Sequence, residues 1–296
     1  MLAVVGTVPG DDFPLVEGEA RLERDRIILG GHEIPVNRGT PALLAAALQA
    51  GQCLNSPPPS ACLVGDTGKG HGSRRLYDHL VRDGRTLRAG VLVFHYLQPD
   101  VDWHNKVLFA VEEISPRPAL IADAGFMYAA KMSGQSEAYE LFTPDAGELA
   151  FLADEEAPHP FYTRGFILHE ENRIPDLIER AYAHKNAARR LLVKGRKDHV
   201  ASEQGIHAVI DRPATEALEA MGGTGDSLTG VVSALIASGM ETLEAAVLAA
   251  RINRLAGTLA DPTPASQVME VIERIPEATT RLLEQERKTH GSRRLG

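Results

Sequence analysis

The residues best suited to chemistry lie between Met221 and Gly230. Gly222, Gly223, Thr224 and Gly225 directly precede a segment whose apolar residues Leu228, Val231, Val232, Leu235 and Ile236 fall at offsets 0, 3, 4, 7 and 8. That spacing is one face of a helix. The first amides of a helix have no internal acceptor, and the dipole there is positive. Glycine lets the main chain approach a ligand closely. Together these make an anion hole suited to phosphate. Asp226 stands at the same helix start. A carboxylate aimed at a bound hydroxyl can take its proton as the oxygen attacks a phosphoryl group. Aspartate is also a good helix N-cap, so a glycine-rich turn capped by Asp226 fits the residues equally well.

Other candidates are scattered along the chain. Lys194-Gly195 follows the apolar run Leu191-Leu192-Val193. Gly65-Asp66-Thr67-Gly68-Lys69-Gly70 follows Ala61-Cys62-Leu63-Val64 and precedes a helix, so it is either a second anion site or a plain turn. It is not a Walker A loop: the glycine spacing is short, and Gly70 stands where Ser or Thr must hold Mg²⁺. The eleven histidines show no ligand spacing. His169-Glu170-Glu171-Asn172 lacks the second histidine of a zinc-binding HExxH, so no zinc is expected. Trp103 reads either as a half-buried packing residue or as one that flanks the acceptor pocket.

The elements that must position these residues alternate. Leu2–Val5, Ala61–Val64, Gly90–His95, Ala119–Ala122, Glu140–Phe142 and Leu191–Val193 read as strands, and Arg26–Val36 contains another, interrupted by Gly30-Gly31, a turn or bulge signal. Helices are expected at Pro41–Ala50 (with Thr40 as N-cap), about Ser73–Val81, about Asn105–Ile114, from Gly147 to Leu152, and over Leu243–Leu259; Val268, Val271, Ile272 and Ile275 repeat the helical spacing. Continuous apolar strands between helices predict an α/β fold with a mostly parallel sheet covered on both faces. Ligand sites then sit at the carboxyl ends of the strands, where Gly65, Asp123, Thr143 and Lys194 stand. The polar stretch 153–173 is either a surface excursion or a lid.

Composition narrows the classes. The net charge is −9, which gives no global electrostatic case for nucleic acid. No apolar run approaches the roughly 18 residues of a membrane helix, and Met1–Pro9 reads as a strand rather than a signal peptide. Cys53 and Cys62 do not form a CxxC motif; each reads as a buried thiol, and a reducing cytoplasmic setting is expected. One domain over 1–287 with a flexible basic tail at 288–296 is expected. The hexapeptide His-Gly-Ser-Arg-Arg-Leu occurs at 71–76 and at 290–295 and reads as coincidence.

The run Gly222-Gly223-Thr224-Gly225-Asp226-Ser227-Leu228-Thr229-Gly230 resembles the signature of the ADP/ATP-dependent NAD(P)H-hydrate dehydratases, a branch of the ribokinase-like superfamily. Simple sugar kinases there usually carry Gly-Ala-Gly-Asp instead. The resemblance continues in order through most of the chain. Gly39–Gly51 is similar to an early family motif, Asp123-Ala124-Gly125 to an Asp-Ala-Asp-Gly turn, and Thr143-Pro144-Asp145-Ala146-Gly147-Glu148 to Thr-Pro-His-Pro-Gly-Glu; Leu192–Gly195 and Ala249–Gly257 match two later ones. It implies a ribokinase-like three-layer α/β/α sandwich, with Asp226 as catalytic base and Gly222, Gly223, Thr224 and Gly225 as the anion hole. Lys194 would contact nucleotide phosphate and Glu148 would reach Mg²⁺ through water. Gly39, Gly68, Gly70, Asp123 and Asp145 would lie on the acceptor side. The cofactors implied are ATP or ADP with Mg²⁺. The substrate would be a small hydroxyl compound, NAD(P)H hydrate first and a sugar or vitamin precursor for a related kinase second, with a non-catalytic nucleotide-binding protein third; a homo-oligomer is expected. The chain departs from the family where Asp145-Ala146 replace His-Pro, where 65–70 replace a Gly-Pro-Gly-Leu-Gly turn, and where Gly30-Gly31-His32 only hint at Gly-Gly-Ser. These departures bear on the acceptor.

Overall fold

The computed structural model describes residues 1–83, 89–163, 173–263 and 265–293, with 286–293 by main chain only. The His169–Asn172 motif, part of the 153–173 stretch and the end of the 290–295 repeat lie outside the described residues. Twelve strands are formed among them: β1 (Leu2–Val8), β2 (Val16–Glu19), β3 (Arg21–Glu23), β4 (Arg26–Leu29), β5 (His32–Pro35), β6 (Ser60–Gly65), β7 (Val91–His95), β8 (Ala119–Asp123), β9 (Leu141–Phe142), β10 (Arg190–Val193), β11 (Asp198–Ser202) and β12 (Gly205–Ile210). The helices are α1 (Thr40–Cys53), α2 (His71–Asp83), α3 (Val101–Glu112), α4 (Gly125–Met132), α5 (Ala146–Ala153), α6 (Ile174–Ala183), α7 (Thr224–Ala237), α8 (Thr242–Ala260), α9 (Val268–Ile272) and α10 (Ile275–Arg293).

Nine strands form one sheet in the order β12-β11-β10-β9-β8-β7-β1-β6-β2. The six from β10 to β6 run parallel, as their unbroken apolar sequences predict. Antiparallel β2 closes one edge and the β11–β12 hairpin the other. Successive strand residues face opposite cores, because the side-chain period of a strand is two. Val4 joins a core with α1, α7, α8, α9 and α10. Ala3 and Val5 join the opposite core with Tyr77, Phe126, Phe151 and Leu177 of α2, α4, α5 and α6. The result is a three-layer α/β/α sandwich. α1 and α7 pack closely because Gly230 lacks a side chain: a Cβ there would lie 2.2 Å from the Leu43 carbonyl oxygen.

Local expectations change in four places. Across Arg26–Val36 the Gly30-Gly31 signal is a turn and not a bulge, and it makes the hairpin β4–β5, since both glycines take positive φ (54° and 84°), the two-residue turn that matches strand twist. Thr40 does not cap α1; Gly39 is the N-cap residue, and the Thr40 hydroxyl turns to a histidine. The spacing across Val268–Ile275 belongs to two helices, α9 and α10, rather than one. The main chain of α10 continues to Arg293, past the boundary at 288. Trp103 is half-buried and stacks on Tyr77 at 6.4 Å, and Cys53 is only half-buried whereas Cys62 is buried.

Candidate active site

Three parallel strands end side by side, pairing Gly6 of β1 with His95 of β7, and His95 with Asp123 of β8. The start of α7 comes over these ends. Gly223, in the left-handed region at φ 97°, is its N-cap residue, and the first helical bond runs from Ser227 N–H to Gly223 O. The amides of Thr224, Gly225 and Asp226 therefore have no acceptor within the helix. A Cβ on Gly223 would lie 3.1 Å from Val268 Cγ1, so both the backbone conformation and the crowding favour glycine in this turn.

Asp226 does not cap its own helix. Its carboxylate crosses to the start of α1, where Oδ2 accepts the Gly39 N–H at 2.6 Å, and Oδ1 lies 3.2 Å from His95 Nε2. Burial pushes this carboxyl up, but His95, Lys194 and the Gly39 amide outweigh burial and hold it below the usual aspartate range. It is thus ionised at neutral pH and able to accept a proton.

Asp123 occupies the centre of the cluster. Both its oxygens accept from Lys194 Nζ, at 2.9 and 2.8 Å, and Oδ2 also accepts from Thr229 Oγ1 at 2.8 Å. Thr229 reaches Thr143 at 3.0 Å, tying α7 to the end of β9. Burial disfavours the Lys194 charge, yet Asp123 and Glu148 more than offset it and hold the ammonium firmly protonated. The Lys194 side chain is only 13% exposed. Its stem lines the α7 start (its Cδ would be 3.4 Å from a Cβ on Gly225), but its charge is committed to Asp123. His95, Asp123 and Asp226 are close enough to share a cation. Lys194 already supplies positive charge at Asp123, so the trio reads as a charge network rather than a metal centre.

Glu148 sits in the first turn of α5. It forms a capping box with Asp145, accepting the Asp145 N–H at 2.9 Å while Asp145 Oδ1 accepts the Glu148 N–H at 2.8 Å, and it takes the Tyr128 hydroxyl at 3.1 Å. Burial and the Asp123 charge push its pKa up to about 8. Asp145, expected on the acceptor side, is an exposed helix cap in this structure.

Gly68 and Gly70 stand against Gln98, in the segment after β7. Asp66 Oδ1 accepts both their amides at 3.0 Å, and Oδ2 accepts the Ser73 amide and hydroxyl at 2.8 Å. The hole at the start of α2 is filled by the chain's own carboxylate. The turn after β7, Tyr96–Gln98, lies beside Asp123. Tyr96 and Ala124, at φ 54° and 53°, hold conformations that cost a non-glycine residue free energy, and both flank the cluster. Sequence reasoning named Gly39, Asp123, Lys194, Glu148 and Asp226 but missed His95, Thr40 and Thr229. The available signal for His95 was its place as the last residue of an apolar strand.

Comparison with known proteins gives the family and the fold. A family model described as NAD(P)H-hydrate dehydratase matches residues 98–276. An uncharacterised protein of Methanocaldococcus jannaschii, MJ1337, is 39% identical over 237 residues, which cover 80% of this chain and 97% of that protein. The bifunctional NAD(P)H-hydrate repair enzyme Nnr of Pyrobaculum aerophilum is 29% identical over 170 residues, covering 57% of this chain and 31% of that enzyme. A ribokinase-like superfamily protein of Enterococcus faecalis shares the fold at a TM-score of 0.54 and 16% identity, over 94% of this chain and 87% of its own. On the extent of the family match and the coverage of its relatives, this chain belongs to the carbohydrate kinase-like NAD(P)H-hydrate dehydratase family.

Proposed function

We propose that the protein restores hydrated NAD(P)H in a nucleotide-dependent reaction, with ATP or ADP as phosphoryl donor. The observation that carries this reading is the orientation of Asp226. It is buried and ionised, turned away from its own helix, and leaves the amides at the α7 start available to a phosphate. A hydroxyl on the damaged ring attacks the terminal phosphorus as Asp226 takes its proton. The new O–P bond forms while the bond to the nucleotide breaks. The amides of Thr224 and Gly225 stabilise charge on the transferring group at no reorganisation cost. The C–O bond then breaks, phosphate leaves, and a neighbouring C–H proton is lost as the double bond returns.

The residues suit a magnesium ion bound through water. The side chains touching Glu148, the Tyr128 hydroxyl and the Asp145 carboxylate, offer oxygen, and burial first and the Asp123 charge second raise the Glu148 pKa, which a hard cation would offset. Glu148 would hold it, and the ion would neutralise charge on the nucleotide phosphates.

A small-molecule kinase is the second reading, favoured by Asp145-Ala146 standing where the family pattern has His-Pro. The same base and hole would serve it, but the product would keep its phosphate. The test is recovery of NADH absorbance from hydrated NADH with Mg²⁺ and ATP or ADP, with phosphate release measured in parallel. Recovery by wild type and its loss in folded Asp226→Asn support repair. A stable phosphorylated product and no phosphate release support the kinase. Turnover that is unaffected by Asp226→Asn removes Asp226 from the chemistry.

A further inference from the structure

His95 is the buried group in the site to which neither the sequence signature nor the reaction gives a role. Its ring is fully buried, and Nε2 has no hydrogen bond of acceptable geometry. A buried ring nitrogen without a partner is costly. Yet Nε2 points between two carboxylates, 3.2 Å from Asp226 Oδ1 and 3.6 Å from Asp123 Oδ2. A bare lone pair facing two negative charges would be repelled, so Nε2 carries a hydrogen. The other nitrogen, Nδ1, lies 3.0 Å from the Thr40 hydroxyl, which can donate to it and so fix that tautomer. Gly6 makes room for this alignment, since a Cβ there would lie 2.7 Å from the His95 carbonyl oxygen and 2.8 Å from Thr40. The Tyr96 ring meets the imidazole edge-on at 4.5 Å.

We propose that His95, with its tautomer set by Thr40, is a positioning residue that aims the Asp226 carboxylate and holds it ionised for catalysis. The role of Asp226 as base rests on the function proposed above; the coupling between His95 and Asp226 does not. The carboxylate lies between the Gly39 amide on one oxygen and His95 on the other. The charged and titratable groups facing it are His95 from β7, Lys194 after β10 and, with the opposite effect, Asp123 from β8; Tyr96 lies beside it. Of these, only His95 has an N–H within reach of Oδ1 among the described contacts.

The test follows the ¹³C carboxyl signal of Asp226 against pH in the full chain, with Asp226→Asn identifying the signal. His95→Asn keeps a polar group for Thr40 but does not reach Asp226. Its midpoint is expected to rise by about one pH unit, a tenfold gain in proton affinity. His95→Gln, whose amide N–H extends to the place of Nε2, is expected to recover part of that shift. Thr40→Val moves the midpoint less, in the same direction. In the hydrated-NADH assay the acidic limb of kcat/KM moves with the midpoint, while the nucleotide KM stays within twofold. An unchanged midpoint in folded His95→Asn overturns the proposal; if that variant does not fold, an unchanged midpoint in Thr40→Val does so. A midpoint that moves in a protein inert towards hydrated NADH supports the His95 coupling and removes the repair reading. An active enzyme whose midpoint does not move removes the coupling and leaves repair standing.

Discussion

The chain contains two glycine-rich turns that open helices at the same edge of the sheet, and each carries an aspartate. At the start of α2, Asp66 folds back and accepts the amides of Gly68, Gly70 and Ser73. At the start of α7, Asp226 turns outward to Gly39 and His95 and leaves the amides of its own first turn open. Composition alone makes the two turns look alike. What separates an anion hole from a finished turn is whether the chain supplies its own anion. That depends on where the carboxylate points, and here the partner 187 residues away in sequence decides it.

The strongest way to break this comparison is Asp226→Asn, expected to lower turnover by about 10³-fold if the carboxylate is the base; Asp66→Asn is expected to change turnover less than threefold. Steady-state rates on the two variants decide it. Next is Lys194→Met, which strands Asp123 beside the α7 start. Losing one partner of a buried pair costs about 3–5 kcal/mol, measurable by urea unfolding.

Asp66→Ala sharpens the other half. It removes a carboxylate that serves three amides and a hydroxyl, so stability is expected to fall by about 2 kcal/mol with nucleotide affinity unchanged. Burial pushes the Asp66 carboxyl up, but the hydrogen bonds from Ser73, Gly70 and Gly68 overcome this and hold it low. A folded-state pKa below the unfolded one means its stabilisation is complete above the unfolded value and is lost as pH falls through the folded one. The gap in stability between wild type and Asp66→Ala is therefore expected to close as pH drops below about 4. A gap that stays constant would contradict the capping role.

The smallest effects come from a matched pair. Gly223→Ala and Gly68→Ala both place a side chain at positive φ, 97° and 89°, at about 1–2 kcal/mol each. Only Gly223→Ala, which also crowds Val268 and Arg38, is expected to weaken ATP or ADP binding by calorimetry.

Much of this architecture was legible because the parallel strands are unbroken apolar runs and the helices carry clear spacing. Asp226, Asp123 and Lys194 were legible as strand-end or helix-start residues within a family signature. The β11–β12 hairpin was not, because β11 buries Asp198, His199 and Ser202; Asp198 is neutralised by Arg254 Nε at 2.7 Å, a pairing that no local pattern reveals. Helix α4 was missed for a related reason: Lys131 within it is buried and donates to the Asp154 carbonyl at 2.6 Å. His95 was hidden because it meets its partners through strand register rather than through spacing along the chain.

The most direct test of the account is a titration of ¹⁵N-labelled protein with ADP or ATP, following individual amides. The account predicts that the Thr224, Gly225 and Asp226 amides shift and gain protection from exchange, while those of Gly68, Gly70 and Ser73 keep their positions. Movement of the α2 amides with no response at the start of α7 would contradict it.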